Sequence, residues 1–139
     1  MVVSDHQDIL TAWLCSRIGY KPSPDLVALG SIRNSDMHLR GVVGFDNFNG
    51  ASCTMHMAGE PGWIDKRMIH AAFDYPFNVV GCNQVLAFVP SGNQTALDID
   101  QRLGFEVVME LEGAHPDGSL FVLRMRRENC KWLAPRRTH

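Results

Sequence analysis

Nowhere does the chain run through the roughly 18 uninterrupted apolar residues that a membrane-spanning helix needs, so a helical membrane protein is excluded. The N-terminus shows no basic region followed by an apolar stretch, and the expected location is the cytoplasm. The four cysteines, Cys15, Cys53, Cys82 and Cys130, form no C-x-x-C pair. Zinc sites usually show at least one close pair, and a chain of 139 residues needs no disulfide staples. All four therefore read as buried or incidental thiols, and no metal is expected. A basic excess is missing as well. The formal net charge is −2 and the pI about 6.3, whereas a dedicated nucleic-acid binder carries a strongly basic balance. The tail "PRRTH" (135–139) is basic, but two arginines read as a solvated terminus. With no repeat, low-complexity tract or linker in sight, one domain over 1–139 is expected.

What is present is an alternation of helix and strand signals. Ile9, Leu10, Trp13, Leu14 and Ile18 recur at helical spacing, Ser4 and Gln7 are spaced as a capping box, and Gly19 marks a stop. This predicts a first helix over about 5–18. "LVALGSIRN" (26–34) and "LRGVVGFDNF" (39–48) read as strands around a turn at 34–36, and "NFNGA" (47–51) is a hairpin turn. "SCTMHM" (52–57) alternates, with Cys53, Met55 and Met57 on one face and Thr54 and His56 on the other. "AGEPG" breaks it. "WIDKRMIHAAFDY" (63–75) then reads as a helix with Ile64, Met68, Ala71 and Ala72 on its apolar stripe, ended or kinked by Pro76.

"QVLAFV" (84–89) is a short strand closed by "PSG". "NQTALDIDQRLGFE" (93–106) follows as a helix opened by Asn93, a favoured N-cap, and stopped by Gly104 in a left-handed conformation, with Phe105 packing back on Ile99. "EVVMELEG" (106–113) and "LFVLRMRR" (120–127) flank the turn-forming "AHPDGS" and read as a hairpin. The expected class is α/β (α+β), a sheet mixing antiparallel and parallel pairing with helices on its faces.

Three segments, "GVVGFDNFNGASCTMHMAGEPGW", "AAFDYPFNVVGCNQVLAFVPSGNQTALDIDQRLGFE" and "DGSLFVLRMRRENCKWL", together resemble a GCN5-related N-acetyltransferase over nearly the whole chain. The Asn-x-x-Ala…Leu-Gly-Phe string is the most specific marker, because it follows a strand. The resemblance implies a largely antiparallel sheet with a central parallel pair. It also implies acetyl-CoA as cosubstrate and direct transfer of its acetyl group to a primary amine of a protein or small molecule. A helix N-terminus offers free backbone N–H groups to an anion. By resemblance, the loop "AGEPGW" (58–63) should wrap the CoA pyrophosphate with the N–H groups of Gly62, Trp63 and Ile64. The backbone just before this loop, around His56, Met57 and Ala58, should pair with the pantetheine amides. Gly59 should belong to the cofactor loop, and Asn93 should contact the arm or bridge to the neighbouring strand. The chain departs from the family here: the usual loop is Gln/Arg-x-x-Gly-x-Gly/Ala, and this one carries Glu60 and Pro61, with Lys66 and Arg67 following to offset the charge.

Transfer from a thioester to an amine needs the amine neutral, the developing oxyanion stabilised and a proton returned to the thiolate. His56 is the candidate base, since an imidazole has an ordinary pKa of about 6.5, near neutrality; packing in the sheet is its alternative role. Asp46 and Glu60 are further candidates, and Tyr75 reads as a packing residue. Many relatives carry a Tyr seven residues after the Asn as general acid. That position here is Asp100, and a carboxyl serves there only if burial keeps it protonated. No Ser/His/Asp or Cys/His nucleophile arrangement is legible. Asp46, Glu60, Asp98 and Asp100 would favour a cationic amine if they shared one cleft. Two other functions remain open: a binding module on the same fold, with or without CoA, acting through a partner, and a phage-type nucleic-acid-modifying relative, which the acidic balance disfavours. Homodimerisation is also left open.

Overall fold

The computed structural model describes residues 1–133, so the basic tail lies outside the described residues. The chain forms β1 (Val2–Val3), α1 (Gln7–Ile18), β2 (Val27–Arg33), β3 (His38–Asp46), β4 (Ser52–Gly59), α2 (Lys66–Asp74), β5 (Gln84–Pro90), α3 (Gln94–Leu103), β6 (Glu106–His115) and β7 (Gly118–Arg126). A π-helical turn, Tyr75–Val80, extends α2. All seven strands join one sheet in the order β1-β2-β3-β4-β5-β7-β6. Every neighbouring pair is antiparallel except β4 and β5, which run parallel at the centre. This is the mixed sheet that the sequence implied. No described helix is long and apolar enough to cross a membrane.

Alternation along the strands divides the molecule into two packed layers. Val43 and Phe45 of β3, Cys53 and Met55 of β4, and Val85, Ala87 and Val89 of β5 point to one face. There they meet Met68, Ala72 and Phe73 of α2, Phe77 of the π-helical turn, and Leu103 and Phe105 at the end of α3. The opposite face holds a smaller cluster in which Leu10 and Leu14 of α1 lie on Ala28 and Val42. His56 and Asp46 therefore belong to the α1 side of the sheet.

The chain departs from the sequence reading at two helix starts. Ser4 and Gln7 make no capping box: His6 is the N-cap residue, in a left-handed conformation with no side-chain cap. Gln7 reaches across to β2, where its amide donates to the Ala28 carbonyl at 2.7 Å and accepts from the Ala28 N–H at 2.8 Å. The second helix begins at Lys66 rather than Trp63, because Asp65 is its N-cap and accepts from the Met68 N–H at 2.9 Å. At Pro76 the α-helix gives way as expected: α2 stops at Asp74 and the chain continues in the wider π-helical turn, closed by the N–H groups of Gly81 and Cys82 on the Pro76 carbonyl. Helix α3 ends as expected, with Gly104 left-handed and its N–H bonded to Asp100 and Gln101 carbonyls. Phe105 is buried with its ring 6.0 Å from that of Phe73, in the same core that takes Ile99 at its margin.

Freed from the helix, Trp63 lies across the sheet. Gly41 and Gly59 are register partners on β3 and β4, and the indole covers both. A Cβ at either position would run into the ring. Gly59→Ala is therefore expected to displace Trp63 and destabilise the fold by about 1–3 kcal/mol, the usual cost of overpacking. Urea denaturation followed by tryptophan emission measures both effects, and an unchanged midpoint would show that Trp63 does not depend on the glycine pair.

Candidate active site

The sheet is held together at its centre by very little. The parallel register between β4 and β5 covers only Ser52↔Gln84, Cys53↔Val85 and Thr54↔Leu86. Beyond it β4 runs on to Gly59 paired with β3 alone, and β5 runs on to Pro90 paired with β7 alone. The two strands diverge, leaving backbone N–H and C=O groups of residues 55–59 and 87–90 without a strand partner across the gap. Such groups need hydrogen bonds from water or a ligand. A cleft of about 710 Å³ opens at this split. Arg17 to Tyr20, at the end of α1, line it from one face, and Thr95, Ala96, Ile99 and Asp100 of α3 line it from the other.

Eight of the nine residues assigned from the sequence line this one cleft: His56, Met57, Ala58, Gly59, Trp63, Ile64, Asn93 and Asp100. Gly62 does not. The segment Glu60–Trp63 folds as a tight turn in which the Trp63 N–H bonds to the Glu60 carbonyl at 3.2 Å. Pro61 presets the first central position and Gly62, with φ 81°, supplies the left-handed second one, the pattern of a type II turn. The Gly62 carbonyl is taken by Arg40 at 2.8 Å. So Trp63 contributes its ring rather than an open N–H, and the Asp65 carboxylate already occupies the N-terminus of α2. Of the three N–H groups expected to face a pyrophosphate, that of Trp63 is turned into the loop.

Asn93 caps α3, accepting from the Ala96 N–H at 3.1 Å, and so stands where the strand delivers the chain to the cleft. His56 projects from β4 on the α1 face, and its Nε2 lies 2.8 Å from Asp46 Oδ1. The Asp46 side chain is 0% exposed. Its other oxygen accepts the Tyr20 hydroxyl at 2.7 Å and the Ser23 hydroxyl at 2.8 Å, and Asn47 donates to Oδ1 at 3.3 Å. Four donors fill the acceptor capacity of a carboxylate. Asp46 is thus committed to structure and is not a base open to substrate. The Tyr20 ring packs at a tilt against His56, with centroids 4.6 Å apart, and its hydroxyl is pushed above the usual phenol range, chiefly by the carboxylate it donates to and further by burial.

Asp100 sits on α3, on the opposite face of the sheet, and is 5% exposed. Burial pushes its carboxyl up from 3.8 to about 7. The remaining acidic residues do not gather here. Glu60 pairs with His38 at 3.0 Å and with Arg40 at 3.6 Å, and Asp98 accepts from Gln94 at 2.7 Å on the exposed side of α3. The cleft is therefore not the acidic trough for cations that four carboxylates would have made. Sequence reasoning missed Tyr20 and Ser23, whose role comes from a contact spanning more than 20 residues of chain and leaves no local signal.

The fold is similar to that of solved N-acetyltransferase structures. The chain is similar to the spermidine N-acetyltransferase of Vibrio cholerae in complex with CoA and spermine, with a TM-score of 0.74 and 12% identity over 93% of this chain and 96% of that one. It is also similar to the Campylobacter jejuni N-acetyltransferase PseH in complex with acetyl coenzyme A, with a TM-score of 0.58 and 16% identity over 84% and 77%. No family model matches the sequence, and no curated protein matches it either. At such identities the likeness is one of fold.

Proposed function

We propose that this protein transfers an acetyl group from acetyl-CoA directly to a primary amine of a small molecule or protein. One observation carries the reading. The only parallel pair in the described sheet parts after three residues, and the resulting cleft has an imidazole on one face and a buried, protonatable carboxyl on the other. Bound there, acetyl-CoA supplies an acyl group activated as a thioester. The open backbone edge of Met57, Ala58 and Gly59 is suited to the amides of an extended pantetheine arm, with Asn93 at the start of α3 and Trp63 and Ile64 as an apolar wall. His56 takes the proton of the attacking amine. Asp100, kept protonated by burial up to about pH 7, returns one to the departing sulfur.

The acceptor amine enters from the α1 face, past Tyr20. With Asp46 saturated and Glu60 engaged elsewhere, the cleft does not have the carboxylates that would select a polycation, so a monoamine fits it better than a polyamine. The turn at Glu60–Trp63 and the Asp65 cap favour a second reading, a binding module on the same fold whose pyrophosphate site has been lost. Thermal unfolding separates the two. CoA is expected to raise the melting temperature with ligand concentration, reaching about 2.7 kcal/mol of stabilisation at one hundred times Kd. Dephospho-CoA should protect as well, because the contacts assigned here reach the pantetheine and not the ribose phosphate. No shift at millimolar CoA would remove acetyl-CoA from the reading. Thiol release with a panel of amines then identifies the acceptor.

A further inference from the structure

We propose that Asp46 is a positioning residue of this site, one that fixes His56 in its Nε2–H tautomer so that Nδ1 is the atom that accepts the amine proton. The inference rests on the acetyltransfer reading for its chemistry, but its geometry stands on its own. A neutral imidazole has one N–H and one lone pair, and the hydrogen bond made by one nitrogen decides the role of the other. Nε2 lies 2.8 Å from Asp46 Oδ1. Asp46 offers only lone pairs, so a neutral ring facing it must place its proton on Nε2. Among the described residues, nothing hydrogen-bonds to Nδ1.

The carboxylate cannot swing away from this task. Oδ2 is held at 2.7 Å by Tyr20 and 2.8 Å by Ser23, both from the segment that follows α1. The side chain of Asp46 is completely buried, while that of His56 is 16% exposed and lines the cleft. Tyr20 adds a second restraint by packing against the imidazole, tilted by 30° to it. One buried carboxylate therefore ties together β3, β4 and the α1–β2 segment and orients a single ring within that junction. A histidine serving packing alone would need neither the tautomer nor the clamp on its partner.

Nitrogen NMR of the imidazole in the full chain reads the tautomer without reference to activity. In the neutral ring of the wild type, Nε2 is expected to carry the proton and Nδ1 to be bare. Asp46→Asn, whose amide can turn a donor toward the ring, should populate the Nδ1–H form. It should also lower kcat by about 10²–10⁴-fold, the range of a general-base contribution, with KM for acetyl-CoA unchanged. An Nδ1–H ring in the wild type overturns the proposal, whatever the variant does and even if the variant fails to fold. Nε2–H retained in Asp46→Asn, or a KM effect in place of a kcat effect, overturns it too. An Nε2–H wild type whose proton moves in the variant, in a protein that acetylates no amine, upholds the positioning and sinks the acetyltransfer reading instead.

Discussion

His56→Ala is expected to lower turnover by about 10²–10⁴-fold, the usual contribution of a positioned general base, while leaving CoA affinity nearly unchanged. The loss should come with reduced stability. Removing the imidazole takes one of four donors from a fully buried carboxylate, and a buried acceptor left short of a partner costs about 1–3 kcal/mol. His56→Gln separates the two effects. Its amide can still donate to Asp46 Oδ1, so the variant should melt close to the wild type. An amide accepts no proton at neutral pH, so its turnover should fall as far as that of the alanine variant. A histidine that merely packs would also leave the alanine variant unstable, but the glutamine variant would then keep most of its activity. Should both variants fold and retain near-full rate, proton removal belongs to solvent and His56 has no place in the mechanism.

Asp100→Asn is expected to be slower than the wild type and, as pH rises, progressively more stable relative to it. The Asp100 carboxyl titrates at about 7 in the folded protein against 3.8 in an ordinary setting. Between those values the folded state holds the proton more tightly than the unfolded state, so folding stability falls as pH rises from about 4 to 7 and is level beyond. Three units correspond to at most about 4 kcal/mol. Asparagine cannot ionise, so this slope should vanish from the variant and appear in the difference between the two proteins. If the protonated carboxyl is the acid that serves the leaving thiolate, kcat of the wild type falls as pH passes through about 7. The variant should then lose about 10²–10⁴-fold at lower pH. Equal turnover in the two proteins would assign thiolate protonation to water. Equal pH slopes of stability would show that the carboxyl is not held away from solvent.

Much of the fold was legible because its signals are local. Alternation in "SCTMHM" placed Cys53 and Met55 in the main core and His56 on the other face. Asn93 and Gly104 bracketed α3 because capping is a matter of the side chain and φ of single residues. The errors lie where distant groups compete for the same atoms. The helical pattern over 63–75 takes in Trp63 and puts Ile64 on its apolar stripe. A proline–glycine turn before them and an aspartate cap after them moved the start of α2, and the indole found a better surface on two facing glycines. Gln7 left its expected cap for the backbone of β2. In the sequence Asp46 is one more candidate base, placed within a strand-forming run. Nothing within several residues announces that Tyr20 and Ser23 close over it, and so the best-determined hydrogen bonds of the site were the least readable.

The strand order also dictates when in the life of the chain the cleft is built. β7 is the last strand among the described residues, yet it sits between β5 and β6. A chain still emerging from the ribosome can complete the β2–β4 meander through short hairpins. Until β7 is released, β5 touches its neighbour over three residues only and β6 has none. Pairing of this kind forms slowly, because the intervening chain must be closed into a loop before any contact stabilises it. The nascent protein therefore carries an open β5 edge, the sort of surface on which other chains add strands. Its reaction cleft acquires a second wall only when the final strand slides into place.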